Sequence, residues 1–270
     1  MADYLLDNAW HEQRQRLAGL EAWFDPGTIR HLERLGVGDG WRCLEVGGGG
    51  GSIAAWLAAR VGPRGHVLAT DLDTRFLEAL DLPHLEVRRH DLLVDDLPSG
   101  TFNLVHARFV LEHLADRAPA LRRMVDALAP GGWLLAEETD SVSWLPAPGV
   151  DPEHARRFTR FTSAFTRLCA ASGADAFAGR RAYGELGALG LDAIDAEGRV
   201  FMVRGGTPNA EVWRLTAAQV ADRLVAAGYL DAAEMPAILA LFRDPTFVWM
   251  EALVMAAWGR RPADEGAGSR

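Results

Sequence analysis

Five consecutive glycines, Gly47 to Gly51, follow the apolar segment Trp41-Arg42-Cys43-Leu44-Glu45-Val46 and lead into Ser52-Ile53-Ala54-Ala55-Trp56-Leu57. An aspartate, Asp71, closes the next apolar segment twenty residues later. The order reads as strand, glycine turn, helix, strand, acid. A turn without side chains lets a ligand lie against the backbone, and the N–H groups that open a helix attract anions. An acid at the tip of the second strand of such a unit accepts hydrogen bonds from both hydroxyls of a ribose. The chemistry these residues support is the binding of an adenosine-containing cofactor.

The dinucleotide fingerprint Gly-x-Gly-x-x-Gly fits only in a late register, Gly49-Gly51-Ala54, with alanine in third place. The pattern Glu-x-Gly-x-Gly-x-Gly fits directly, as Glu45-Val46-Gly47-Gly48-Gly49-Gly50-Gly51. Further motifs follow in order: Asp71-Leu72, His90-Asp91-Leu92, Phe102-Asn103-Leu104-Val105-His106-Ala107, and Leu128-Ala129-Pro130-Gly131-Gly132-Trp133-Leu134-Leu135. From Trp41 to Glu138 the chain resembles the class I S-adenosylmethionine (SAM) methyltransferases, and within them the small-molecule group that includes ubiquinone-type methylases. Asn103 departs from the pattern, which usually shows Asp there.

The resemblance implies a Rossmann-like α/β fold. Its seven-stranded, mostly parallel sheet would carry helices on both faces, with strand order 3-2-1-4-5-7-6 and an antiparallel last strand. It implies SAM as cofactor, held by Glu45, Gly47, Gly48, Gly49, Asp71, Leu72, Asp91, Leu92 and Ala107. Asp71 would clamp the ribose, Leu72 pack on the adenine and Asp91 reach the adenine amino group. Glu45 is expected to tether the glycine turn or the cofactor amine, because a strand carboxylate buried without a partner is expensive.

Methyl transfer from a sulfonium is an in-line displacement, so the protein mainly aligns a nucleophile and excludes water. A general base helps where it can reach a proton. Candidates follow strand four (His106, Arg108, Glu112, His113) and strand five (Glu137, Glu138, Asp140). His113 is the candidate of choice because imidazole titrates near neutrality; the alternative is a histidine packed in a helix cap. Glu138 and Asp140 are candidates for substrate contact, and Gln13 and Arg16 for reaching over the site, Arg16 towards the SAM carboxylate. Phe158, Phe161 and Phe165 share a helical face, either as core or as the wall of an aromatic or polyketide-like substrate site. Arg156-Arg157 and Arg180-Arg181 read as solvated faces.

Composition narrows the alternatives. A net charge of −9 argues against nucleic-acid or anionic-membrane partners. All 28 positive residues are arginine, which excludes Schiff-base lysine chemistry and a P-loop. Cys43 and Cys169 lack metal-ligand spacing and read as reduced thiols of a cytoplasmic protein. No metal site is expected. The first 20 residues carry Asp3, Asp7, Glu12, Arg14 and Arg16, so neither a signal peptide nor a membrane span is expected. No Asn/Asp-Pro-Pro-Tyr follows strand four, neither cysteine follows proline, and no Gly-x-Ser-x-Gly occurs. The reading is therefore a SAM-dependent transfer of methyl to a small organic acceptor, oxygen before carbon or nitrogen, in bacterial secondary metabolism. The alternatives are a SAM-binding regulatory or partner subunit and an NAD(P)-dependent reductase.

The elements that position these residues follow from periodicity. Helices are expected at 4–20, from an Asp25-Pro26 start to Gly36, and at 51–61, 74–80 (capped by Asp73), 116–129, 152–172, 181–190 and 208–243. Strands are expected at 41–46, 65–71, 84–88, 101–107, 132–138, 193–203 and 246–258. This divides the chain into N-terminal helices over the cofactor site (1–36), a SAM-binding α/β core (37–140) and a helical cap insert (141–180). The end of the core follows (181–258, with a helical insert at 208–243), then a disordered tail (259–270).

Overall fold

The computed structural model describes residue 6 and residues 9–263. The expected helix start at 4, with Leu5, and the tail beyond 263 lie outside the described residues. Residues 9–12 are turns before a helix that starts at Gln13, and Gly259 and Arg260, expected in a disordered tail, are the end of the last strand. In chain order the elements are α1 (Gln13–Arg34), β1 (Arg42–Val46), α2 (Ser52–Val61), β2 (His66–Asp71), β3 (Leu85–Arg89), β4 (Phe102–Arg108), α3 (Ala118–Ala127) and β5 (Leu128–Asp140). Then come β6 (Leu145–Pro146), α4 (Pro152–Ala171), α5 (Gly179–Ala188), β7 (Asp192–Arg199), β8 (Met202–Arg204), α6 (Pro208–Ala226), α7 (Met235–Leu241), β9 (Val248–Met250) and β10 (Leu253–Arg260).

The main sheet has seven strands in the order β3-β2-β1-β4-β5-β10-β7. Counted within that sheet, β7 is the sixth strand and β10 the seventh, which is the expected 3-2-1-4-5-7-6. β1 to β5 pair in parallel, while β10 runs antiparallel to both β5 and β7. The central strands are near-continuous apolar runs because helices cover both faces. Leu44, Val105 and Leu134 pack on one face with α3, and Cys43, Leu104 and Leu135 on the other with Leu57 of α2. Asn103 acts locally. Its side-chain oxygen accepts the Arg42 N–H at 2.8 Å and aligns β1 beside β4. No helix among the described residues is long and apolar enough to cross a membrane.

Several expected boundaries give way to tertiary contacts. Helices expected before and after Asp25-Pro26 are one helix, α1, with Pro26 inside it. Asp25 does not cap; it accepts from Arg108 (2.8 Å), and Thr28 donates to Glu137, so both sides of the proline are tied to the sheet. Residues 74–80 form turns rather than a helix, and Asp73 accepts from Arg75. With Pro83 close behind, that segment has no room to propagate a helix. The stretch 208–243 divides into α6 and α7, and 193–203 into β7 and β8.

The expected strand at 246–258 breaks at Glu251-Ala252 into β9 and β10. β9 leaves the main sheet for a second one, of order β6-β9-β8. This small antiparallel sheet packs with α4, α6 and α7 around Trp144, Phe158, Phe161, Trp249 and Phe242. Phe158 and Phe161 are fully buried there and are core, one of the two readings of that face.

Candidate cofactor and acceptor site

The glycine turn joins β1 to α2 at the carboxyl rim of the sheet. Gly47, Gly49 and Gly51 have φ of 68°, 54° and 94°, the left-handed region that disfavours any side chain. Gly50 is closely packed for a different reason. A Cβ there would run into Glu21 and Arg14, which pair at 3.2 Å on α1. Helix α1 therefore lies directly across the turn.

Asp71, at the tip of β2, reaches back to this turn. Its carboxylate accepts the Gly49 N–H at 2.9 Å and the Asp73 N–H at 3.0 Å. Burial pushes its pKa up, partly offset by these bonds. Asp91 accepts the Leu93 N–H (2.9 Å), which orders the loop after β3. Beside it, the buried Nε2 of His90 has no hydrogen-bond partner among the described residues.

A cavity of about 740 Å³ opens along this rim, inside the range of roughly 300–1,000 Å³ that suits small-molecule sites. Its wall includes Glu45, Gly47, Gly48, Gly49, Asp71 and Leu72, and further along Asp91, Leu92 and His113. Leu72 is half exposed, so its side chain is free to lie on a flat ring. Ala107 is the exception among the expected cofactor residues: it is fully buried in the core beneath the rim, and the next three residues, Arg108, Phe109 and Val110, form the wall instead. Phe109 adopts φ 57°, uncommon for a bulky residue and typical of the local strain seen at ligand sites.

Beneath the wall lies an ionic network that the spacing of residues does not announce. Glu45, His106 and Glu137 come from adjacent strands β1, β4 and β5, with Glu45 paired opposite His106. His106 Nδ1 lies 2.6 Å from Glu45 Oε2, and Nε2 lies 3.4 Å from Glu137 Oε2. Burial alone would push the imidazole down; the two carboxylates reverse this and hold its pKa at about 9. Burial would likewise raise Glu137, but His106, Arg108 and Thr28 hold it at about 2. Arg199 of β7 also donates to Glu137 at 3.1 Å, passing against Gly27 of α1. Glu45 thus tethers to His106 rather than to the glycine turn itself.

The remaining candidates separate by what they touch. His113 lines the cavity, and burial lowers its pKa, with Arg16 acting in the same direction. The imidazole is therefore neutral at physiological pH and able to accept a proton. Glu138 accepts the Leu111 and Glu112 N–H groups (3.1 and 3.0 Å) and pins the turn that carries His113; burial and the Glu112 carboxylate raise its pKa. Asp140 is taken by Arg180 through two bonds of 2.6 and 2.7 Å, so Arg180 is not simply a solvated arginine. Neither acid belongs to the cavity wall. Arg16 lines it and donates to Thr216 of α6 at 2.8 Å.

The far end of the cavity differs in character. Its wall includes Trp23, Phe24, Trp144, Phe165, Trp213 and Glu251. Cys169 also lies there, its thiol pushed up to about 12 by burial. The sequence signals for this end are Phe165, which lines the cavity while Phe158 and Phe161 are core, and a lone acid, Glu251, inside the apolar run from Phe247 to Trp258.

Comparison with known proteins agrees with this geometry. Residues 44–134 match the family model described as "Methyltransferase domain". The chain is 34% identical over 151 residues to methyltransferase str3 of Strobilurus tenacellus, covering 53% of this chain and 52% of that one. It is 33% identical over 128 residues to the ubiquinone/menaquinone biosynthesis C-methyltransferase UbiE of Laribacter hongkongensis, covering 44% and 51%. The chain thus spans about half the length of the curated relatives it matches. Its fold is similar to that of geranyl diphosphate C-methyltransferase from Streptomyces coelicolor, with a TM-score of 0.51, 16% identity, and coverage of 96% of this chain and 89% of that one. The motif order, the strand order and these matches agree: residues 44–134 are a methyltransferase domain, set in a sheet with the fold of the SAM-dependent methyltransferases.

Proposed function

We propose that the protein transfers a methyl group from SAM to a small, largely apolar organic acceptor, with oxygen as the favoured acceptor atom and bacterial secondary metabolism as its setting. The observation that carries this reading is one cavity with two unlike ends. One end is a side-chain-free cradle with an acid at the ribose position; the other is a box of aromatic rings. The sulfonium supplies the reactive methyl, and this chain's residues bind, orient and exclude water. Gly47 to Gly49 leave space for the methionine part of SAM. Asp71 faces the ribose, while Leu72, Asp91 and Leu92 surround the adenine. His113, neutral and beside the aromatic end, accepts the acceptor's proton. Helix α1, together with α4 and α6, closes the site from above.

Calorimetric titration with S-adenosylhomocysteine, with NADH and NADPH as controls, tests the cofactor half. Micromolar or tighter binding of S-adenosylhomocysteine alone is expected. No binding, or binding of a nicotinamide cofactor, overturns the assignment. Turnover to S-adenosylhomocysteine in an acceptor screen distinguishes the enzyme from a protein that binds SAM without transfer.

A further inference from the structure

Glu251 sits where the chain leaves the second sheet for the main one, between β9 and β10. Its backbone is held on both sides: its N–H donates to the Phe201 carbonyl at 2.8 Å, and its carbonyl accepts from Ser143 Oγ at 2.7 Å. The residue is 2% exposed and belongs to the wall of the cavity, beside Trp213. A buried carboxylate there needs partners, and it has three. Oε2 accepts the indole N–H of Trp213 (2.7 Å) and of Trp249 (3.0 Å), and Oε1 accepts the Ala252 N–H (2.8 Å).

None of these three donors carries charge. An ionised carboxylate offers about four acceptor positions, so one on Oε1 is left over. Burial raises the pKa of this group to about 7, and the three hydrogen bonds only partly counter that. Above that pH the ionised group keeps one unused acceptor position in an apolar setting, where such a bond discriminates strongly.

The rest of the wall indicates what donates it. Trp144 and Trp213 lie with ring centroids 4.3 Å apart, and Phe165 meets both edge-on at 5.7 Å. The buried indole N–H groups of Trp23 and Trp144 have no hydrogen-bond partner among the described residues. Arg16 and Arg223 line the same cavity from α1 and α6. An ammonium ligand would meet two guanidinium groups, whereas an oxygenated ring finds aromatic walls, N–H donors and one acceptor.

We propose that Glu251 selects the methyl acceptor, by accepting the hydrogen bond of a hydroxyl on an aromatic ligand seated against Trp144, Phe165 and Trp213. This rests on the methyl-transfer reading of the cavity. It makes Glu251 a specificity-determining residue and requires no bond-making step at that carboxylate.

The test is calorimetric titration, at about pH 8 where Glu251 is ionised, of the S-adenosylhomocysteine-loaded protein with 2-naphthol and with 2-methoxynaphthalene, in which a methyl group replaces the hydroxyl hydrogen and removes the donor. Wild type is expected to bind 2-naphthol at least about tenfold more tightly, the discrimination of a single hydrogen bond to a charged group. Glu251→Gln keeps an oxygen for the two indoles but turns an amide donor to the ligand. It is expected to abolish or invert the preference while leaving S-adenosylhomocysteine affinity unchanged. Equal binding of the two probes, no binding of 2-naphthol at millimolar concentration, or a preference that survives in Glu251→Gln each overturns the proposal. Where Glu251→Gln does not hold S-adenosylhomocysteine, Trp213→Phe replaces it: Oε2 loses a donor and the naphthol preference should rise, and an unchanged preference overturns the proposal. A wild-type protein that fails to bind S-adenosylhomocysteine sinks the methyl-transfer reading instead, and the two naphthalenes titrated without cofactor still decide the role of Glu251.

Discussion

His106 Nδ1 lies 2.6 Å from Glu45 Oε2, and this contact ties the strand that enters the glycine turn to the centre of the sheet. It also commits the protein to a buried imidazolium between two carboxylates, and Glu137 depends on the neighbouring positive charges to stay ionised. Removing one member strands the rest, which typically costs about 3–5 kcal/mol when a buried pair is broken. His106→Gln should therefore lower the unfolding free energy by about that amount, measured by urea denaturation at neutral pH. A loss under about 1 kcal/mol would show that the network relaxes freely.

The same network sets a pH window. His106 is raised from 6.5 to about 9, so its contribution is full below 6.5 and is lost as pH rises through 9. Glu137 is lowered from 4.5 to about 2, so its contribution is full above 4.5 and is lost as pH falls through 2. Both are complete only between pH 4.5 and 6.5. Unfolding free energies measured from pH 4 to 9 should fall on the alkaline side in wild type and flatten there in His106→Gln. Identical alkaline slopes would remove His106 as the cause.

Asp71 plays two parts, since its carboxylate orders Gly49 and Asp73 as well as facing the proposed ribose position. Asp71→Ala should weaken S-adenosylhomocysteine binding by about 10- to 100-fold, the loss of hydrogen bonds to a charged acceptor. Asp71→Asn, which keeps one acceptor oxygen, should fall between. Calorimetry on folded variants checks this, and near-normal affinity in Asp71→Ala would put the ribose assignment in error.

Two glycines make opposite predictions. Gly50→Ala places a Cβ against the ends of the Glu21 and Arg14 side chains and should displace that ion pair at the cavity wall, lowering S-adenosylhomocysteine affinity. Gly184 lies on the exposed face of α5 with open space around it. Gly184→Ala should therefore raise stability by about 0.5–1 kcal/mol through helix propensity alone. Thermal melts and calorimetry on both variants decide whether α1 contact or general glycine content governs the site.

His113→Ala should reduce turnover by about 10²- to 10⁴-fold if the imidazole takes the acceptor proton, with S-adenosylhomocysteine affinity within about twofold. Steady-state kinetics with an acceptor found by screening, beside calorimetry, tests this. Full activity would mean that alignment alone suffices.

What depends on neighbours along the chain is legible in the amino-acid order. Alternating strands and helices, the glycine turn and the acids at strand ends are local patterns. From them follow the sheet, with seven strands in the expected order, and the polar end of the cavity. Ala107 falls one residue short of the wall because rim and core alternate at a strand end, where a single step changes the face. Pro26 and residues 74–80 depart from their expected roles because propensity does not see tertiary ties such as Asp25 to Arg108. Pairings across distance come from the folded chain and nothing less. The register of β1, β4 and β5 sets Glu45, His106 and Glu137 side by side. The break between β9 and β10 turns an acid in an apolar run towards two indoles and the cavity. Such contacts join residues far apart in the chain, and no local periodicity records them.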